Sequence, residues 1–159
     1  MRILVLAVGR LKDGPERELV SRYLDRAQAI GRTLGVTGFE VIEVPESRAA
    51  RAADRKAEEA AALRAKAGEA ALIALDERGA SQPSDVFAQA LGVKRDEGRK
   101  AVAFLIGGAD GLDPALVAQS GETICFGRMT LPHQLVRVVL SEQLYRAMTI
   151  LSGHPYHRA

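Results

Sequence analysis

Continuous apolar runs alternate along this chain with stretches whose apolar residues recur every three or four positions. Ile3–Val8, Phe39–Val44, Ala70–Leu75, Ala101–Ile106 and Thr123–Phe126 are short, rich in branched side chains and bounded by Gly, Pro or charge. They are predicted as buried strands. Between them, residues 13–34 carry Leu19, Tyr23, Leu24, Ala27 and Ile30 at helical spacing. Residues 47–66 are Ala-rich, which predicts a helix by propensity. Ser84 is placed to cap a helix running to about Gly98, and Asp113-Pro114 opens a short one. A long final helix is expected from Pro132 to about Leu151. Asp76-Glu77-Arg78-Gly79 is predicted as a loop.

This alternation predicts an α/β fold with a mainly parallel sheet of five to six strands and helices on both faces. No repeat or linker interrupts the 159 residues, so one domain, 1–159, is expected. In such sheets ligands sit beyond the carboxyl ends of the strands, which singles out the loops after Leu75, Ile106 and Phe126.

Composition changes little. The lone cysteine, Cys125, forms no internal disulfide and reads as a small buried strand residue. The first apolar run is too short for a signal peptide, and no run approaches membrane-spanning length, so a cytoplasmic protein is expected.

Charge is more informative by position than in total. Net charge is +2, but residues 127–159 hold four arginines and one acid, Glu142, for a local charge of +3, together with all three histidines. A positive end on a near-neutral body points to an anionic partner. On residues 47–66, Asp54, Glu58 and Glu59 interleave with the arginines, as on a solvated face.

Three motifs carry candidate chemistry. Gly107-Gly108-Ala109-Asp110-Gly111 lets a backbone turn tightly and approach a ligand, although a plain tight turn explains it as well. It lacks the Gly-Lys-Ser/Thr of a phosphate loop, and Asp110 opposes a phosphate. The final helix has two apolar stripes, wider than one sheet requires, which suggests a symmetric dimer. It also pairs His133 with Arg137, and Glu142 with Arg146, four residues apart. The tail Tyr156-His157-Arg158 combines a stacking ring, an imidazole and an anion-binding fork.

Leu105–Leu112, Thr130-Leu131-Pro132-His133-Gln134-Leu135-Val136-Arg137, Glu142 with Leu144-Tyr145-Arg146-Ala147, and His154-Pro155-Tyr156-His157-Arg158 together resemble the ribosomal large-subunit (23S rRNA) pseudouridine N3-methyltransferase family, of the SPOUT class. The resemblance spans nearly the whole chain. It implies a trefoil knot in about 70–159, a homodimer, S-adenosylmethionine as methyl donor with no metal, and large-subunit rRNA or the ribosome, rather than DNA or membrane, as partner. The cofactor residues it implies are Leu75, Gly108, Gly127, Arg128, Met129, Thr130, Leu131 and Pro132.

The catalytic set implied is His133, Glu142, Tyr156, His157 and Arg158. The acceptor is a weakly acidic imide nitrogen. His133 and His157 are candidate bases, Arg158 an anion stabiliser or phosphate grip, Tyr156 a stacking partner, and Glu142 an orienting group. The tail is expected to lie across the dimer partner. Two rivals stand beside this reading: a SPOUT enzyme acting on another RNA base such as one in tRNA, and a non-catalytic ribosome-associated RNA-binding protein.

Overall fold

A computed structural model describes residues 1–157. The strands β1 (Arg2–Val8), β2 (Gly38–Val44), β3 (Ala71–Ser81), β4 (Ala101–Ile106) and β5 (Glu122–Cys125) form one sheet in the order β2-β1-β4-β3-β5, with every pairing parallel. The helices are α1 (Pro15–Gly31), α2 (Ala52–Ala67), α3 (Ser84–Asp96), α4 (Pro114–Gln119) and α5 (His133–Ser152). The expected α/β sheet is observed, with five strands.

Alternating side chains explain the three layers. Ile3, Val5, Ala7, Val102 and Phe104 face α1, α3 and α5. Leu4, Leu6, Val8, Ala103 and Leu105 face α2 and α4, where Leu63 and Leu116 are buried. Both faces are covered, so these strands read as unbroken apolar runs. No helix among the described residues is long and apolar enough to cross a membrane.

Several expectations are corrected. The helix predicted from Ser47 begins at Ala52, because Ser47 folds back on it, its backbone N–H donating to Glu59 and its hydroxyl to Glu58. Glu59 is thereby buried rather than solvated, at 7% exposure. Ser84 is not a cap: the N-cap of α3 is Pro83, and the Ser84 hydroxyl donates to Gln143 on α5. Asp113 does cap α4, accepting from Ala115 N and Leu116 N. Cys125 is half-buried at the end of β5.

Residues 76–79 are not a free loop but a bulge within β3. Leu75 and Ala80 both pair with Ile124 across this register shift. The return path is tight, since a Cβ on Gly79 would lie 2.5 Å from the Ile124 carbonyl carbon. The neighbour is backbone and cannot yield. Gly79→Ala is expected to destabilise the fold by about 3 kcal/mol, read as a lower urea midpoint at unchanged m.

The apolar width of α5 has an intramolecular account. α5 lies against both α1 and α3, burying Leu140, Leu144, Ala147 and Met148. The width is therefore not by itself evidence for a dimer.

Candidate functional site

The register aligns the three loops singled out from sequence. Leu75 pairs with Ile106 on one side and Ile124 on the other, so the carboxyl ends of β4, β3 and β5 lie side by side. Gly107–Gly111, the bulge at 76–79 and the segment Phe126–Pro132 leave from this one edge. An open hollow of about 940 Å³ lies instead at the amino ends of the strands, lined by Arg2, Glu40, Lys66 and Lys100 among others. Its mixed charge and distance from the glycine loop set it apart from this edge.

Glycine is required in the loop after β4. A Cβ on Gly107 would lie 2.6 Å from the Gly111 carbonyl carbon, and one on Gly108 would lie 3.0 Å from Val8 Cγ1. Asp110 does not point its charge at a ligand unopposed. Arg55 on α2 binds it through Nε at 2.7 Å and Nη2 at 3.1 Å, holding the carboxyl below the usual carboxylate range. Arg55 also donates to the carbonyls of Ala49 and Ala50, so it is a strut for the loop rather than a free RNA-binding cation. Asp76 is similarly held by Arg78. These loops therefore form a glycine-lined cradle whose neighbouring arginines are engaged with carboxylates. That suits a ligand without phosphate.

The segment from Gly127 to Pro132 is open. Gly127 has φ 138°, which disfavours a side chain there, and Arg128 through Pro132 are exposed, Met129 at 84%.

Sequence reasoning missed the role of Arg137, seen there only as the helical partner of His133. Arg137 is 1% exposed and ties α5 to the carboxyl ends of β1 and β2. Its Nη2 donates to the carbonyls of Val8 and Gly9, both at 2.7 Å, and Nη1 donates to Glu43 Oε1 at 2.8 Å. Burial pulls the guanidinium below its ordinary value, against the opposing pull of Glu43. An arginine in an otherwise apolar helix stripe, four residues after His133, was the available signal.

The far end of α5 holds the tail. Glu142 Oε1 accepts from Arg146 Nη2 at 2.6 Å and from the Tyr156 hydroxyl at 3.0 Å, while Oε2 accepts from Gln143 at 2.7 Å. The Tyr156 ring is tilted against Tyr145 at 4.6 Å between centroids, with the Arg146 guanidinium 4.9 Å from its centre. Tyr156 is therefore a tail anchor, not a ring free to stack. Arg146 Nη1 lies 3.4 Å from His157 Nδ1.

Burial, and then Glu142, push the Tyr156 phenol up to about 12. An unfolded tyrosine titrates near 10. The neutral phenol is the form favoured by folding, so its contribution is complete below about pH 10 and is lost as pH rises through about 12. In an ultraviolet pH titration one tyrosine is expected to ionise late, and Tyr156→Phe should remove that late phase.

The structure thus brings together Glu142, Tyr156 and His157, but not His133. His133 begins α5, whereas Tyr156 and His157 fold back beside Glu142 and Arg146, roughly 14 and 20 Å along the helix at 1.5 Å per residue. The tail, expected on a partner subunit, folds back on its own α5 through its tyrosine. Arg158 lies outside the described residues.

Two of the four arginines behind the local positive charge, Arg137 and Arg146, are engaged internally. The anionic-partner expectation is narrowed accordingly.

A family model described as "Predicted SPOUT methyltransferase" matches residues 1–157. The chain belongs to the SPOUT methyltransferase family. Its relatives include proteins named Ribosomal RNA large subunit methyltransferase H from Bradyrhizobium diazoefficiens, 58% identical with all of both chains covered, and from Methylorubrum populi, 56% identical over 99% of this chain and 97% of that one. A crystal structure of a probable methyltransferase from Bordetella pertussis Tohama I shares the fold, with a TM-score of 0.50 at 15% identity, over 92% of this chain and 95% of that one.

Proposed function

We propose that this chain transfers a methyl group from S-adenosylmethionine to N3 of a pseudouridine in large-subunit (23S) rRNA, on assembled ribosomes in the cytoplasm. The observation that carries this reading is identity above one half, over essentially the full length, with enzymes named for large-subunit rRNA methylation.

The residues present fit the cofactor. Leu75, Gly108 and Gly127–Pro132 surround an edge whose backbone is open to close approach and whose Arg55 and Arg78 are engaged with carboxylates. When bound, S-adenosylmethionine supplies a methyl group already activated by its sulfonium. The protein's work is then to hold the acceptor nitrogen in line and to manage its proton.

His157, with Nδ1 toward Arg146, is placed to take the acceptor's proton or to stabilise its charge through the rest of the ring. Glu142 and Arg146 act through Tyr156 and His157, as positioning residues. Arg158 serves the anion or a phosphate, and His133 stands near the cofactor end.

Within a chain, Tyr156 and His157 dock roughly 14 and 20 Å along α5 from its start at His133. A homodimer that lays one subunit's tail against its partner's carboxyl edge joins them. Met129, Leu131 and Leu135, all exposed at the start of α5, supply apolar surface for such an interface. A trefoil knot in about 70–159, within a single domain, belongs to the same reading.

Mass spectrometry of 23S rRNA from a deletion strain tests the reading. One methylpseudouridine should vanish and return on complementation. Unchanged rRNA with a lost tRNA methylation would replace it with the tRNA alternative. Ribosomes should also outperform naked rRNA as substrate, because a protein of net charge +2 gains little from non-specific phosphate contact.

A further inference from the structure

Glu59 is a carboxylate only 7% exposed, with no cation hydrogen-bonded to it among the described residues, and its Oε2 keeps a narrow opening to solvent. Burying a carboxylate is unfavourable unless cations or donors complete its shell. Its Oε1 accepts from Ser47 N at 3.0 Å, and Oε2 takes no hydrogen bond or ion pair among the described residues. Arg55, one turn earlier on α2, is near enough to feel this charge, but its N–H groups go to Asp110, Ala49 and Ala50.

The position of Oε2 is informative. It lies 3.5 Å from where a Cβ on Gly108 would stand, beside Val8. Val8 ends β1 and Gly108 follows β4, and these strands are neighbours. The chain leaves β1 for α1 on one face of the sheet and leaves β4 for α4 on the other. This is the point where crossovers diverge, and where doubly wound sheets open a crevice for ligands.

We propose that Glu59 is a cofactor-binding residue whose Oε2 receives the α-ammonium of the methionine part of S-adenosylmethionine. The inference rests on the methyltransferase reading above. A primary ammonium suits this oxygen: it is cationic, compact and a multiple donor. The sulfonium is the poorer candidate. A carboxylate against it would stabilise a charge that disappears on methyl transfer and so slow the reaction, whereas the ammonium keeps its charge throughout. Gly108 is then glycine for two reasons, since a side chain there would press on Val8 and stand between the loop and Glu59.

Calorimetry tests this without turnover. Wild-type protein is titrated with S-adenosylhomocysteine, with its analogue lacking the amino group, and with 5′-methylthioadenosine, which lacks the amino-acid part. Loss of a charge-assisted contact should weaken the deaminated analogue roughly ten- to hundredfold relative to S-adenosylhomocysteine. Glu59→Gln should weaken S-adenosylhomocysteine by a similar factor and leave 5′-methylthioadenosine within about twofold, the latter also reporting an intact adenosine pocket. Equal wild-type affinity for S-adenosylhomocysteine and its deaminated analogue would overturn the proposal, whether or not the variant folds. So would an equal loss of all ligands in Glu59→Gln. If the wild type binds none of the three, the methyltransferase reading falls and takes this assignment with it.

Discussion

Arg137→Ala is expected to lower the unfolding free energy by about 3–5 kcal/mol, a large part of the stability of an ordinary domain. The loss has three sources. The carbonyls of Val8 and Gly9 are left without their donor inside the protein. Glu43 loses its buried cation while still accepting from Leu11 N. A large fully buried side chain also leaves a cavity.

The ion pair is asymmetric, with Arg137 at 1% side-chain exposure and Glu43 at 29%. Water can still reach Glu43, so Coulomb attraction is the lesser part of the loss and the orphaned carbonyls the greater. The double variant Arg137→Met with Glu43→Leu should therefore recover only part of it. Urea unfolding of the three proteins decides the matter. Full recovery in the double variant would show that the charge pair, not the carbonyl contacts, is what α5 needs from Arg137.

Deleting residues 154–159 is expected to reduce methyl transfer by at least about a hundredfold while leaving cofactor affinity within about twofold. The deletion removes Tyr156, His157 and Arg158 but touches neither the glycine loop nor residues 127–132. Gly108→Val should abolish cofactor binding, and methyl transfer with it, while leaving the tail intact, because its side chain enters the space beside Val8 and Glu59.

Mixing the two inactive proteins discriminates between arrangements. If each site takes its cofactor edge from one subunit and its tail from the other, random mixing gives one intact site in half of the dimers, about a quarter of wild-type activity. If both parts come from one chain, no mixture restores activity. Recovery would support the dimeric site, and its absence would overturn it.

The expectations for the tail show where sequence stops being sufficient. Glu142 and Arg146 were legible as a helix pair because four-residue spacing dictates a shared face. That Tyr156 joins them was not legible, because it depends on how Gly153, at φ 70°, turns the chain back along α5. The same turn converts Tyr156 from a stacking candidate into an anchor and leaves His157 with its Nδ1 toward Arg146. His133 and His157 both looked like bases in one short segment, yet His157 docks at Arg146, roughly 20 Å along the helix from His133.

Sequence by itself determined the strands, the helices and the three loops at one edge. Each follows from local rules: apolar runs long enough to be buried on two faces, periodic helices between them, and glycines where backbone must turn. It also determined the family, through motifs concentrated from Leu105 onward.

Only the tertiary structure decided which charges are spoken for. Arg55 meets Asp110 from 55 residues away, and Arg137 meets Val8 and Gly9 across more than 120. It also decided that Glu59, one acid among several on a charged helix, is buried against Gly108. A charge's role depends on its burial and its partner, and those partners are brought together by the order of strands in the sheet rather than by spacing along the chain.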